Sequence, residues 1–398
     1  MMTGWLETGA MGVFWVAVGL IAFAYVGYPA LLWLVTQGKR RPAHAEPDDW
    51  PTLTLITVAY NEERVIRDKI DNTRALDYPR AALQVIFVSA GCTDGTPEIV
   101  AKAAQGDIET LRIAERVAKT TAQNRALART CGEIVVFSDA NSIYAPDALK
   151  ELVKPFGDAA VGCVCGELRY VNPARSGAGE GEGLYWRYEQ FIKQRESALG
   201  SLVGANGAIY AVRRELCEAL GPDLIPDLVL PLRVRRRGYR VVYAPQAVAV
   251  ESTGKGFRAE YERRVRITAR SIHGLITELG VLNPLGGPVF AFQVWSHKVL
   301  RWGVPVFILA AILSSLALWW QGRYAGVVGV ELAGVVLAVA GLISPNALGR
   351  NKLFYMPAYL LAMNAGVLVG IWKYLTGGRI ILWQPPERIK ASDQVTQA

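Results

Sequence analysis

Short apolar runs alternate with amphipathic stretches between residues 53 and 243. Short apolar runs bounded by polar residues are typical of strands, whereas apolar positions at helical spacing predict helices. The predicted strands cover residues 53–58, 83–89, 110–113, 134–139, 161–166, 208–212 and 239–243. The predicted helices cover residues 62–76, 96–104, 119–130, 146–156, 184–196 and 227–237, and residues 177–183 are predicted to be a flexible acidic loop. This alternation predicts an α/β fold with a mostly parallel, Rossmann-like sheet.

Apolar segments of a different kind lie on both sides of this region. Residues 8–37 contain no charged side chain, and residues 11–36 are long enough to cross a hydrocarbon core of roughly 30 Å. A cleaved signal peptide is the alternative, but residues 1–10 have no Lys or Arg. Residues 302–320, 327–343 and 353–375 are also apolar enough to span. The cations at 39–41 directly after the first segment predict that this end faces the cytoplasm.

Residues 257–279 predict a basic amphipathic helix, in which arginines alternate with apolar residues. Such a helix is suited to lie in the membrane interface, and the alternative is a surface helix of the α/β domain. Three later crossings would place Lys373 and Arg379 outside, against the usual charge bias. Either one segment enters the membrane without crossing it, or residues 285–300 take part in a crossing.

The predicted division of the chain is 1–41, a membrane helix; 42–256, the α/β domain; 257–301, interfacial helices; 302–376, membrane helices; and 377–398, a tail.

The net charge and the cysteine content limit which ligands and cross-links the sequence predicts. The net charge is +8, but many of the cations flank apolar segments, where they meet anionic lipid, so nucleic-acid binding is not predicted. The 5 cysteines are odd in number and lack CxxC spacing. They therefore predict reduced thiols in a cytosolic domain rather than a zinc site or disulfides.

The run that ends at Asp139 carries the first candidate chemistry. Ala140 and Asn141 follow it, so two oxygen-bearing side chains stand two residues apart just after a buried strand. Ligands of open α/β sheets bind beyond the carboxyl ends of strands, and such oxygens suit a hard cation. The alternative interpretation is a simple Asp/Asn turn.

An ordered set of motifs now gives a family pattern. The motifs are Ala59-Tyr60-Asn61-Glu62, Thr93-Asp94-Gly95-Thr96, Lys119 with Asn124, Ser138-Asp139-Ala140-Asn141, Gly204-Ala205-Asn206-Gly207, and Asp227 followed by Gly238-Tyr239-Arg240. Over residues 53–302 the chain resembles a membrane-integrated family 2 glycosyltransferase of GT-A fold, similar to bacterial polysaccharide synthases. The resemblance implies a nucleotide-diphospho-sugar transferase domain between transmembrane helices.

In that family the end of the first strand holds the nucleoside. The resemblance implies that Tyr60 stacks on the base and that Glu62 hydrogen-bonds to base or ribose; helix capping and packing are the alternatives. The family usually has an Asp where this chain has Ala90, which cannot accept a hydrogen bond from uracil N3–H. Asp94 is interpreted as a helix cap rather than a ligand contact.

The resemblance also implies the roles of the diphosphate, metal and acceptor residues. Lys119, at the start of a helix, and Asn124 would bind the donor near its diphosphate. Asp139 and Asn141 would hold Mg²⁺ or Mn²⁺, with Asp139 also counted as a substrate contact. Asp227 would be the general base of an inverting displacement, unless it only caps its helix. Gly204 and Asn206 are expected to bind substrate.

The interfacial segment departs from the processive synthases, which carry Gln-x-x-Arg-Trp there. Arg266 matches the arginine, and Arg263 stands where the glutamine would be, so both are expected to reach the diphosphate. Because the tryptophan is replaced by Ile267, processivity is not implied. The Ser296-His297-Lys298 stretch with Arg301-Trp302 also resembles related membrane glycosyltransferases, but interfacial anchoring is its only predicted role.

The predicted function is an inverting hexosyltransferase at the inner (plasma) membrane, multi-pass and with a cytoplasmic domain. It would move a sugar from a nucleotide-sugar donor to a glycan or polyprenyl-lipid acceptor, for cell-surface polysaccharide, with membrane lipid and polysaccharide export proteins as partners. One alternative is a transferase that adds a single sugar to polyprenyl phosphate. The other is an inert GT-A scaffold of an export complex.

Overall fold

The computed structural model describes residues 2–39, 45–104, 106–171, 177–252, 257–344, 351–378 and 382. One eight-stranded sheet forms the centre of the α/β domain, in the order β3-β2-β1-β4-β7-β6-β8-β5. The strands are β1 Leu53–Ala59, β2 Leu83–Ala90, β3 Glu109–Ile113, β4 Ile134–Asp139, β5 Ile143–Tyr144, β6 Val161–Val171, β7 Ile209–Arg213 and β8 Arg240–Ser252.

The helices occur along the chain as the periodicity indicates. They are α1 Met2–Ala22, α2 Tyr28–Val35, α3 Ile66–Arg74, α4 Thr96–Ala103, α5 Lys119–Leu127, α6 Ala148–Val153, α7 Gly177–Leu199, α8 Pro226–Arg236, α9 Phe257–Thr277, α10 Pro288–Val294, α11 Leu300–Trp320, α12 Ala325–Ile343 and α13 Lys352–Leu375. The prediction of a flexible loop over residues 177–183 is wrong, because these residues form the first turns of α7. Packing of the aromatic residues farther along the helix overrides the poor helix propensity of four glycines.

The sheet is covered on both faces, which explains its continuous apolar strands. In β1, Leu53 and Leu55 enter one core cluster, whereas Ile56 and Val58 enter another. Strands β3, β2, β1 and β4 are parallel, and so are β6 and β8. Strand β7 runs antiparallel to both β4 and β6, so the sheet is mixed as well as mostly parallel.

The register brings the chemistry-bearing ends of the strands together. Val58 lies opposite Asp139 in the parallel pair β1–β4. Ser138 lies opposite Ile209 in the antiparallel pair β4–β7, so the end of β4 is next to the start of β7. The turn that precedes β7 therefore borders the crevice beyond β4, where ligands of such sheets bind.

Within the described ranges, four long apolar helical segments are sufficient in length and composition to cross a membrane. They are Glu7–Val35, Pro288–Trp320, Ala325–Ile343 and Lys352–Leu375. The second joins α10 and α11 through a π-helical turn, Trp295–Val299, so part of the 285–300 stretch belongs to an apolar segment. A second π-helical turn, Phe23–Gly27, joins α1 and α2. These segments associate the protein with a membrane.

The last apolar helix packs along the basic helix α9. A Cβ atom added to Gly366 of α13 would lie 3.1 Å from the Cβ of Arg264, and one on Gly370 would lie 2.9 Å from the carbonyl oxygen of Val265. Only glycine lets the two backbones come so close. Between α11 and α12, Arg323 forms an ion pair of 2.9 Å with Glu7.

Candidate functional site

Three of the predicted residues border one small space. Asp139 ends β4, Lys119 begins α5, and Asp227 lies in the first turn of α8. A Cβ atom added to Gly207 would lie 3.5 Å from Asp227 Oδ2, 3.7 Å from Asp139 Oδ2 and 3.7 Å from Lys119 Nζ. The Lys119 ammonium donates a hydrogen bond to Asp139. Two acidic groups and one cation thus face each other across a glycine.

Asp227 is held by the turn in front of β7. The N–H of Ala205 donates to the Asp227 carbonyl oxygen at 2.8 Å. Gly204 packs against the same helix start, where its added Cβ would lie 3.3 Å from Leu228 Cδ1. Burial raises the pKa of Asp227, and Asp139 raises it further, whereas the charge of Lys119 lowers it. A carboxylate with a raised pKa is suited to accept a proton near neutral pH.

Helix α5 also fixes the chain that leads to Asp227. The Asn124 side chain donates to the carbonyl oxygen of Leu220 at 2.7 Å and accepts from the Leu220 N–H at 3.1 Å. Its amide therefore holds the backbone at Leu220, and its contact with the donor stays a prediction. The Thr120 hydroxyl donates to the carbonyl oxygen of Leu224 at 2.9 Å.

Arg270 of α9 is a residue that sequence reasoning missed. Its guanidinium donates to the Leu224 carbonyl oxygen and to Thr120 Oγ1, and its charge lowers the pKa of Asp227, opposing the effect of burial. The signal was present in the sequence, since Arg270 follows Arg263 by two helical turns. Arg263 itself donates to Glu260 at 2.6 Å and to the Tyr170 hydroxyl at 3.2 Å.

The edge of the sheet beyond β1 and β2 carries Tyr60, which is predicted to contact the nucleobase. The guanidinium carbon of Arg116 lies 4.7 Å from the centre of the Tyr60 ring. Gly91 has a φ of +62°, and a Cβ there would lie 2.3 Å from the Cα of Arg116, so glycine allows this approach.

Asp94 accepts hydrogen bonds from the N–H groups of Thr96 and Glu63, both at 3.1 Å, which agrees with its interpretation as a cap. The Glu62 residue is buried.

A buried lysine contacts the chain directly after the Asp139–Asn141 turn. Lys69 of α3 is fully buried, donates to the Ser142 carbonyl oxygen at 2.6 Å, and its ammonium lies 3.9 Å from the centre of the Tyr144 ring. Burial lowers the pKa of Lys69 to about 7. Sequence reasoning missed Lys69, because a lysine within a helix pattern is normally solvated.

The donor set of the turn fits a hard cation. Asp139 remains partly exposed toward the crevice, and Asn141 offers an amide oxygen. No group of three His, Cys, Asp or Glu side chains arranged for a metal occurs within the described ranges. A metal here would therefore share its coordination with oxygens of a bound ligand, as Mg²⁺ commonly does.

Comparison with known proteins identifies the domain. A family model, Glycosyl transferase family 2, matches residues 54–221, which include Asp139, Lys119 and the Gly207 turn. Residues 54–221 therefore form a family 2 glycosyltransferase domain. The mannosyltransferase from Pyrobaculum calidifontis, solved with GDP-Man and Mn²⁺, has a similar structure, with a TM-score of 0.69 and 25% identity. The match covers 91% of this chain and 99% of that one.

Relatives of the glycosyltransferase domain differ in what they make. The beta-monoglucosyldiacylglycerol synthase of Nostoc is 29% identical over 206 residues, which cover 49% of this chain and 44% of that protein. The poly-beta-1,6-N-acetyl-D-glucosamine synthase of Staphylococcus aureus is 24% identical over 267 residues, covering 64% of this chain and 61% of that protein. The match thus spans about half the length of these relatives.

Asn206, predicted to bind substrate, lies in the turn that precedes β7. Its side chain donates to the Gly166 carbonyl oxygen at 3.2 Å and accepts from Lys193 Nζ of α7 at 2.8 Å. Asn206 is buried and directly precedes Gly207. Its polar atoms therefore fix the turn that borders the Asp227 space.

Proposed function

We propose that the protein is an inverting glycosyltransferase that moves a sugar from a nucleotide sugar to a hydroxyl of a glycan or lipid-linked acceptor at a membrane surface. One observation carries the proposal: Asp139, Lys119 and Asp227 face each other across Gly207. The site faces the cytoplasmic leaflet in this proposal, because cations cluster directly after the first apolar segment.

Asp227 acts as the general base. It takes a proton from the acceptor hydroxyl while that oxygen attacks the anomeric carbon and the bond to the diphosphate breaks. A single carboxylate suffices for this displacement, so no covalent glycosyl-enzyme forms. The burial that raises the Asp227 pKa makes the carboxylate a stronger base than a solvated aspartate.

The other residues stabilise the leaving diphosphate. Lys119 and the free N–H groups at the start of α5 bind its negative charge. Asp139 and the Asn141 oxygen would hold Mg²⁺ or Mn²⁺, which offsets the charge on the departing nucleoside diphosphate when it is bound. The P. calidifontis relative solved with Mn²⁺ supports this choice of ion.

The residues proposed to contact the nucleobase favour a guanosine donor over a uridine donor. Ala90 offers no carboxylate for uracil N3–H, whereas Arg116 beside Tyr60 supplies a guanidinium. An arginine recognises the acceptor pair O6 and N7 of guanine through two hydrogen bonds. The relative solved with GDP-Man agrees with this preference.

Transfer assays on the purified full-length protein test the proposal. The protein is incubated in detergent with a panel of GDP- and UDP-sugars, Mn²⁺ or Mg²⁺, and polyprenyl phosphate or oligosaccharide acceptors. We expect metal-dependent transfer, preferentially from a GDP-sugar. Asp227→Asn should reduce transfer by roughly 10²- to 10⁴-fold and retain nucleotide binding. The matched control Asp147→Asn, at an exposed aspartate outside the site, should stay within about threefold of wild type.

Each part of the proposal can fail separately. Transfer from UDP-sugars alone would contradict the preference for a guanosine donor but not the reaction. Full transfer by Asp227→Asn would contradict the role of Asp227 as general base. Binding of no nucleotide, with neither transfer nor donor hydrolysis, would favour the inert scaffold instead.

A further inference from the structure

The Ser296–Trp302 motif takes no part in the chemistry proposed above, yet its histidine is placed in a defined way. His297 lies in the π-helical turn Trp295–Val299 and is almost fully buried. Its Nδ1 lies 2.8 Å from Glu196 Oε1, and its Nε2 lies 3.1 Å from Glu189 Oε2. Both carboxylates belong to α7. Single π-helical turns are rare and occur frequently at functional sites.

The same two carboxylates receive further side chains from the membrane segments. Arg301 Nη1 lies 2.5 Å from Glu189 Oε1. The Tyr28 hydroxyl, directly after the other π-helical turn, donates to Glu196 Oε1 at 2.6 Å. Two apolar segments that are distant in the sequence therefore meet at Glu189 and Glu196. We call His297, Arg301, Tyr28 and these two glutamates the joint.

The joint is expected to have one arrangement rather than many. Burial alone would raise the pKa of Glu189, but the charge of Arg301 and a hydrogen bond from His297 hold it well below its usual range. Glu189 is therefore a carboxylate that depends on Arg301 and His297. Removing one partner of a buried charged pair is strongly unfavourable, so the members of the joint must stay together.

Helix α7 connects the joint to the active-site turn. Glu196 Oε2 accepts from the Val203 N–H at 3.4 Å, and Lys193 Nζ donates to Asn206 Oδ1 at 2.8 Å. Gln293 of α10 donates to the Ser201 carbonyl oxygen at 3.2 Å. The segment 201–207 is thus held at three points by the joint and its flanking helices. The last residue of that segment, Gly207, borders the Asp139–Lys119–Asp227 space.

We propose that His297 and Arg301 are positioning residues that, through the carboxylates of α7, set the position of the 201–207 segment in the active site. The apolar segments must be seated correctly for Gly207 and the Asp227 space to take their catalytic arrangement. The domain is therefore competent for transfer only when the membrane segments are packed on it. The proposal extends the proposed function, because it assigns the Gly207 space to catalysis.

Hydrogen exchange of the full-length protein in detergent tests the connection without any substrate. We compare wild type with His297→Gln and Tyr28→Phe, reading the backbone amides of Val203 and Ala205. The Ala205 N–H bonds to Asp227 at 2.8 Å, and the Val203 N–H bonds to Glu196. We expect exchange at both amides to rise by about tenfold in His297→Gln and by about threefold in Tyr28→Phe. The amides of the distant strands β2 and β3 should be unchanged.

The matched control lies on the same π-helical turn. Trp295 is half exposed and its indole donates to the Leu282 carbonyl oxygen, outside the joint. Trp295→Phe should leave exchange at Val203 and Ala205 as in wild type. Unchanged exchange at both amides in the folded His297 variant, or an equal rise in the control, would overturn the proposal. Should His297→Gln fail to fold, Tyr28→Phe decides, because it removes one hydroxyl and keeps the ring packing.

Kinetics separate a positioning role from a merely structural one. With the donor that wild type uses, kcat of His297→Gln should fall about tenfold while the donor KM changes less than about twofold. A KM change alone would contradict positioning of the acceptor side. If wild type transfers no sugar, the proposed function fails, whereas the exchange measurement still decides whether the joint controls the turn.

Discussion

The two sides of the pocket are held in place by different means. On the proposed donor side, Asp139 ends a buried parallel strand, and its neighbour Val58 is fixed by the register of β1 and β4. On the acceptor side, Asp227 and Gly207 lie outside the sheet. Side chains that come from α5, α7 and α9 hold them. The donor side is thus part of the sheet, whereas the acceptor side is an assembly of distant contacts.

This difference predicts two kinds of mutational effect. Changes on the donor side should impair binding of metal and nucleotide while leaving the fold intact. Changes among the contacts that hold the acceptor side should lower turnover and leave donor binding unchanged. The first three predictions below each test this division, and a fourth concerns stability, in order from the largest expected effect to the smallest.

Asp139→Ala should abolish metal-dependent donor binding. The substitution removes the only carboxylate of the Asp139–Asn141 turn, so transfer should fall by more than about 10²-fold. Calorimetric titration of GDP with and without Mn²⁺ measures the loss. The control Asp147→Asn changes an exposed aspartate outside the pocket and should bind as wild type does. Mn²⁺-dependent binding by Asp139→Ala would place the metal elsewhere.

Lys119→Met should alter both transfer and its pH dependence. The base works only when deprotonated, so kcat/KM should rise with pH through the Asp227 pKa, which burial raises above 3.8. The positive charge of Lys119 lowers that pKa. Its removal should therefore move the acid limb to higher pH and reduce transfer by roughly 10²-fold. A pH–rate profile measures the shift, and an acid limb that stays in place or moves to lower pH would contradict the assignment.

Arg270→Gln should affect the acceptor side alone. Without its hydrogen bonds to Leu224 and Thr120, the segment before Asp227 loosens, and kcat should fall about tenfold. Donor binding, measured by titration, should remain within about twofold. Weaker donor binding with unchanged kcat would place Arg270 on the donor side instead.

Lys69 gives the smallest expected effect, on stability. Burial lowers its folded pKa to about 7, below the unfolded value of 10.5. Between these values the unfolded chain binds more protons, so the stability of wild type should rise with pH. The rise is at most about 1.4 kcal/mol per pH unit. Thermal melting from pH 7 to 9 should show this rise relative to Lys69→Met, and parallel curves would contradict it.

The place of the predicted donor-side residues in the fold could be derived from the sequence for a physical reason. Tyr60 comes directly after a buried strand and Asp139 ends another, and the ends of parallel strands meet at one edge. The mixed sheet was less predictable, because an apolar run such as β7 carries no sign of its direction. Helix α7 was shortened in the prediction, because glycines indicate a loop when the packing partners are unknown.

The contacts of the acceptor side could not be predicted from sequence in the same way. Lys69, Lys193 and His297 are polar residues that the fold buries, and their partners lie far away along the chain. Local patterns assign such residues to a solvated surface or to the membrane interface. Arg270 is the exception, since its spacing from Arg263 placed it on one helix face.

The stereochemistry of the product tests the central claim most directly. A single base opposite the departing diphosphate inverts the anomeric carbon, so an α-linked nucleotide sugar should yield a β-linked product. The one-bond coupling between the anomeric carbon and its hydrogen, measured by NMR on the first product formed, distinguishes the two. A β-linked product from wild type, lost in Asp227→Asn, is the predicted result. An α-linked product, or a sugar covalently attached to the protein, would contradict it.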